Sequence, residues 1–141
     1  MAREFSGLQR FAVDTRRRVL IVDNHDDELS AFDELWREAG FETVTTWSAI
    51  EALGFLRSST FSALVVDDYV ADMHIGEFLK RASRLLSRTQ IFVMQTMPQE
   101  KCILFDGSTG QWPVVDKANM AEVIRAVDSG SASARNHLSG T

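Results

Sequence analysis

The sequence predicts an α/β fold, a doubly wound parallel sheet of five strands with helices on both faces. Three observations carry that expectation. From residue 19 onward, short apolar runs alternate with segments of helical period, the pattern of repeated βαβ units. The runs are continuously apolar, as strands buried on both sides are. The length of 141 residues, with 45% hydrophobic and 25% charged residues, suits one filled core of ordinary soluble composition.

The strand candidates are Val19 to Val22, Glu42 to Thr46, Ala63 to Asp67, Gln90 to Gln95 and Pro113 to Val115. Between them, Leu29, Phe32, Leu35, Trp36 and Ala39 make the apolar face of a first helix, closed by Gly40. Ile50, Leu53 and Leu56 mark a second, with Ser48 as its N-cap. Ile75, Phe78, Leu79, Ala82, Leu85 and Leu86 mark a third. Met120, Val123, Ile124 and Val127 mark the last, with Asn119 as its cap. From Pro98 to Trp112 the pattern fails, because Cys102 to Phe105 reads as readily as strand and Gly107 and Gly110 follow; the fourth helix is shortened or absent. Residues 1–17 read as an N-terminal extension, 18–128 as the domain and 129–141 as a flexible, small and polar tail.

Composition narrows the partners. Residues 1–18 carry five Arg against Glu4 and Asp14, whereas residues 19–127 carry nine basic against 17 acidic groups. The acidic domain repels nucleic acid, and Arg16-Arg17-Arg18 reads as a solvated lead-in rather than a phosphate-binding run. No apolar run approaches the roughly 20 residues that span a bilayer. With one cysteine, Cys102, and no apolar signal segment, a cytoplasmic location is expected. Phe5, Leu8, Phe11 and Val13 offer an apolar strip for the domain or for a homodimer, if that segment orders at all.

In open parallel sheets the reactive site lies beyond the carboxyl ends of the strands. There the sequence places Asp23 and Asn24, then Asp67 and Asp68, then Thr96, then Lys117. Two carboxylates beside a lysine and a hydroxyl suit a hard cation and a transferred phosphoryl group. Asp23 and Asp68 would hold Mg²⁺ through oxygen, and Asp68 would act as nucleophile to form an acyl phosphate. Lys117 would pair with the carboxylate and then with phosphoryl oxygen, and Thr96 would donate a hydrogen bond to the same group.

These residues resemble the receiver domains of bacterial two-component response regulators over about residues 18–128. The resemblance rests on Val19-Leu20-Ile21-Val22-Asp23-Asn24, on Leu64-Val65-Val66-Asp67-Asp68, on Gly76 eight residues past Asp68, and on Thr96 and Lys117. The glycine spacing selects Asp68 over Asp67 as acceptor. The resemblance implies a flavodoxin-like receiver fold with strand order 2-1-3-4-5. It also implies Mg²⁺ held by Asp23 and Asp68, more weakly by Asn24, and by the main-chain carbonyl of Val70. A histidine kinase or phosphotransfer protein would supply the phosphoryl group, and an unknown downstream protein would read the result. Such a chain is no enzyme beyond its own phosphorylation and dephosphorylation.

The sequence departs from that pattern in several places. Asn24 stands where the family usually has a second acid, and Asp72 and Ala118 stand where it usually has prolines. Asp26, Asp27 and Glu28 read as favouring the positive end of the first helix rather than replacing the missing acid. Val70 and Pro98 cannot orient water, so a phosphorylated form is expected to be long-lived. His25 and His74 read as solvent-facing, and Trp47 and Trp112 as packed at element ends. The rival reading is a receiver-fold interaction module independent of phosphorylation. A small phosphatase would need an acid at Val70, and a cofactor-binding flavodoxin-like protein would need a glycine-rich loop after the first strand.

Overall fold

The structure, a computed structural model, describes residues 17–86, 88–95 and 112–129. The described strands are β1 (Arg18–Val22), β2 (Glu42–Thr46), β3 (Ala63–Asp67), β4 (Gln90–Gln95) and β5 (Val114–Asp116). They form one parallel sheet in the order β2-β1-β3-β4-β5. The helices are α1 (Asp26–Glu38), α2 (Ala49–Ser58), α3 (Ile75–Leu85) and α4 (residues 120–129). A 3₁₀ turn, Lys117–Asn119, joins β5 to α4. Thr96, the stretch from Pro98 to residue 111, and nearly all of both terminal segments lie outside the described residues.

Strand alternation divides the core in two. Leu20, Val22, Leu64, Val66 and Val93 point to one face and pack on Ala52, Leu53 and Leu56 of α2 and Phe78, Leu79 and Ala82 of α3. Val19, Ile21, Ala63, Val65 and Met94 point to the other, against Phe32 and Trp36 of α1 and Met120, Val123, Ile124 and Val127 of α4. Trp36 is fully buried and meets Phe41 edge-to-face, with ring centroids 4.9 Å apart.

The helical stripes are narrower than their periodicity suggests. Ile50 is 61% exposed and Leu35 and Leu85 are partly exposed, because each sits at the margin of its helix's buried arc, whereas Ala49 and Ala52 of α2 are fully buried. Trp47 is 57% exposed rather than packed, whereas Trp112 is half-buried against the α2/α3 core. Ser48 caps α2, its hydroxyl accepting from the Glu51 amide. Asn119 is not the cap before α4; it ends the 3₁₀ turn, and Asp116 accepts from the Ala118 amide instead. β5 correspondingly runs one residue later than expected.

Arg17 and Arg18 are not a free basic run. Arg17 stacks over Phe41 at 4.3 Å, donates to the Ala39 carbonyl at 2.9 Å and pairs with Asp128 of α4 at 2.7 Å. Arg18 pairs with Glu42 across the β1/β2 edge at 3.2 Å. Gly40 makes this clasp feasible: its φ of 96° ends α1, and a Cβ there would come within 3.1 Å of the Arg17 guanidinium.

Asp72 ties two loops together. Its carboxylate accepts from the Ser48 hydroxyl at 2.7 Å, the Ala49 amide at 2.8 Å and the Ile50 amide at 3.2 Å, so the β3–α3 loop caps the start of α2. Burial works against its charge, but these donors outweigh it and hold the carboxyl below its ordinary value. Stability from this contact is therefore present above the unfolded value of 3.8 and is lost as pH falls through the lowered folded value. Asp72→Ala is expected to lower unfolding free energy by about 1–2 kcal/mol at pH 7 in urea melts. The gap from the parent should narrow as pH is lowered below 3.8, the ordinary value, and through the lowered folded value; a gap of unchanged size refutes this account.

Candidate functional site

The register of the sheet decides which side chains meet. Val22 lies opposite Val66 in the β1/β3 pairing, so the next residues, Asp23 just past β1 and Asp67 at the end of β3, stand side by side. Asp23 and Asp67 share alternation with Ile21 and Val65, and Lys117 with Val115, all of them residues of the α1/α4 core. The three polar side chains therefore converge on that side of the sheet.

Lys117 Nζ lies 3.2 Å from Asp67 Oδ1, 3.5 Å from Asp23 Oδ2 and 2.5 Å from Glu28 Oε1. Both aspartates and the lysine are nearly buried, at 3%, 3% and 9% side-chain exposure, so these interactions act with little solvent screening. Burial and the Asp23 charge push the Asp67 carboxyl above its ordinary value against the pull of Lys117. Burial also opposes the Lys117 ammonium, but Glu28, Asp67 and Asp23 outweigh it and raise its pKa. Burial opposes the Glu28 charge, but the hydrogen bond and charge of Lys117, with smaller contributions from Asp23 and His25, outweigh it and lower its carboxyl.

His25 meets the other two oxygens of the aspartate pair. It precedes α1 in extended backbone, and its main-chain amide donates to Asp23 Oδ1 at 2.9 Å. Its ring Nδ1 lies 3.1 Å from Asp23 Oδ1, 3.3 Å from Glu28 Oε1 and 3.5 Å from Asp67 Oδ2. The hydrogen bond that the protonated ring donates to Asp23 raises its pKa. Asp23, His25 and Asp67 thus offer ligand atoms all within 4.8 Å of one another, a group that suits a divalent cation.

The remaining expected residues fall around this centre. Asp68 is half-buried in the turn after β3, its amide donating to the Met94 carbonyl at 3.0 Å and its side chain adjoining that of Asp67. Asn24 is half-buried, and its Oδ1 is buried without a hydrogen bond. Val70 sends its side chain into the α2/α3 core. Thr96 lies outside the described residues. His74 is exposed, as expected, and its Nδ1 accepts from the Gly76 amide at the start of α3.

Two members of the site were assigned other roles on sequence grounds. Glu28 is not simply a helix-end acid, since it binds the buried lysine, and His25, although 58% exposed, turns its ring nitrogen inward. The prominence of Asp67 had a signal in the sequence: Val19 to Val22 and Ala63 to Val66 are apolar runs of equal length, each followed directly by an aspartate. Parallel strands starting level bring those two aspartates together.

No protein-family model and no curated protein matches the chain. Solved structures do. A CheY-like response regulator receiver domain from Methanospirillum hungatei superposes with a TM-score of 0.70 at 20% identity, covering 83% of this chain and 98% of that one. The chain has the receiver fold. The signal receiver domain of an HD domain-containing protein from Pseudomonas fluorescens matches this fold with a TM-score of 0.70 at 18% identity, over 86% of this chain and 93% of that one. A sensor protein from Polaromonas matches with a TM-score of 0.67 at 24% identity, over 81% and 98%. The receiver fold positions strand ends as described above, and among the described residues no helix is long and apolar enough to cross a membrane.

Proposed function

We propose that the chain is a response-regulator receiver that accepts a phosphoryl group from a histidine kinase or phosphotransfer protein and signals through protein contacts. The observation that carries this reading is the buried lysine bridging two carboxylates at adjacent strand ends. The same observation favours Asp67 over Asp68 as acceptor. Asp67 touches Lys117 and follows Val66 as Asp23 follows its partner Val22, whereas Asp68 is favoured by the glycine spacing of the receiver resemblance.

In this reading an Asp67 carboxylate oxygen attacks phosphorus, and the bond from phosphorus to the donor's imidazole nitrogen breaks, the nitrogen keeping the electron pair. Lys117 orients the carboxylate beforehand and neutralises phosphoryl oxygen afterwards. Asp23 and Asp67, with the orphaned oxygen of Asn24 close by in sequence, are a donor set that fits a divalent cation, Mg²⁺ being the one implied by the receiver resemblance. Such an ion supplies positive charge that offsets the repulsion between these carboxylates and an incoming phosphate. The added charge of about −1.5 to −2 would then pull Lys117 from Glu28, a local change able to bias partner binding.

The phosphorylation-independent module stays as a second reading because Lys117 is already neutralised within the fold and Asn24 leaves the first turn one acid short. Incubation with acetyl phosphate and Mg²⁺ followed by intact mass measurement separates the two. One added phosphate is expected on the parent and on Asp68→Asn, and none on Asp67→Asn. No addition to the parent favours the binding module; addition to Asp67→Asn but not to Asp68→Asn returns the acceptor role to Asp68.

A further inference from the structure

The two aspartates divide their oxygens between two neighbours. Asp23 Oδ2 and Asp67 Oδ1 face Lys117, while Asp23 Oδ1 and Asp67 Oδ2 face the His25 ring, at 3.1 and 3.5 Å from Nδ1. Lys117 takes one oxygen of each aspartate. A cation sharing both carboxylates therefore takes the other two, the oxygens that the imidazole faces.

Asp67 Oδ2 is the second sign of a ligand there. Asp67 is 3% exposed, yet this oxygen accepts no hydrogen bond, and the group it faces is a ring nitrogen beyond good hydrogen-bond distance. A buried anionic oxygen left in this state is costly, and a shared metal ion would satisfy it. The ring itself is 58% exposed, which leaves room on the solvent side for water or a substrate oxygen.

We propose that His25 is a ligand of the pocket's divalent cation, and that its nitrogen makes this site favour Zn²⁺ over Mg²⁺ more strongly than the carboxylates alone do. Mg²⁺ takes hard oxygen ligands and gains little from an imidazole, whereas Zn²⁺ binds histidine nitrogen readily. Two carboxylates with one imidazole are a mixed N/O set with positions left open. The inference rests on the receiver reading for a cation in this pocket. Its test uses no phosphoryl donor, so failure of metal selection and failure of phosphoryl transfer are seen separately.

Calorimetric titration of the full chain with Zn²⁺ and, separately, Mg²⁺ tests the assignment, in a Cys102→Ser background so that the lone thiol does not compete. His25→Ala is expected to weaken Zn²⁺ binding by about tenfold or more, the cost of losing one ligand, while changing Mg²⁺ binding by less than about twofold. Asp67→Asn should weaken both, and His74→Ala neither. Thermal melts without metal check that each variant is folded. Absence of Zn²⁺ binding by the parent, or equal losses of Zn²⁺ and Mg²⁺ affinity in His25→Ala, overturns the proposal.

Discussion

Lys117→Ala is expected to destabilise the fold by about 3–5 kcal/mol at pH 7, the usual consequence of removing one partner from a buried ion pair. The substitution leaves Asp23 and Asp67, both nearly fully buried, facing one another without the ammonium that lies 3.5 and 3.2 Å away. The pH dependence distinguishes this cause from simple loss of packing. The Asp67 carboxyl is already held above its ordinary value of 3.8, so the cost of its charge is absent at low pH and grows as pH rises through the folded value. Without Lys117 that folded value moves further up. Urea melts should therefore show the Lys117→Ala deficit shrinking as pH is lowered. Asp67→Asn, which removes the charge that the fold disfavours, should restore much of the loss at pH 7. A deficit independent of pH and unrelieved by Asp67→Asn would mean that the lysine stem, not its charge, is what the fold requires.

Trp36→Ala is expected to cost a comparable sum in the α1/α4 core, about 3–5 kcal/mol, through the cavity left by a buried aromatic side chain. Trp36 is 0% exposed and packs edge-on to Phe41 where α1 returns to the sheet. Its indole Nε1 is buried without a hydrogen-bond partner. Trp36→Phe should consequently be much milder than the alanine change, since the smaller ring keeps most of the packing and removes an unsatisfied donor. Denaturant midpoints of the two variants provide the check, and comparable losses in both would show that the indole N–H is satisfied in solution.

The sheet was legible because its strands are continuous apolar runs and its helices carry clear periodicity. β2, β3 and β4 have the expected bounds, and the strand order is the one the resemblance implied. Exposure at helix margins was less legible: Ile50 sits at helical spacing from Leu53, yet α2 turns Ala49, Ala52, Leu53 and Leu56 to the sheet and leaves Ile50 outside that arc. At the site, Asp23 and Lys117 followed from strand ends alone. The contact of Asp67 with Lys117 beside Asp23 depends on the register of two strands distant in sequence, which no local pattern supplies. Glu28 and His25 escaped because both lie in or beside the first turn of α1, where acids and polar residues have a sufficient local explanation. Their inward contacts depend on how that turn leans over the strand ends.

The Arg17 clasp separates attachment from chemistry. Arg17 lies just before β1, at the edge of the sheet away from the acidic pocket, and α4 runs back from the pocket to place Asp128 2.7 Å from it. The chain therefore enters and leaves the domain at neighbouring points on the pole opposite Asp23 and Asp67. A tag, surface anchor or fused domain joined at either point leaves the acidic pole open. A short linker between these two points would also permit new ends to be cut elsewhere without stretching the sheet.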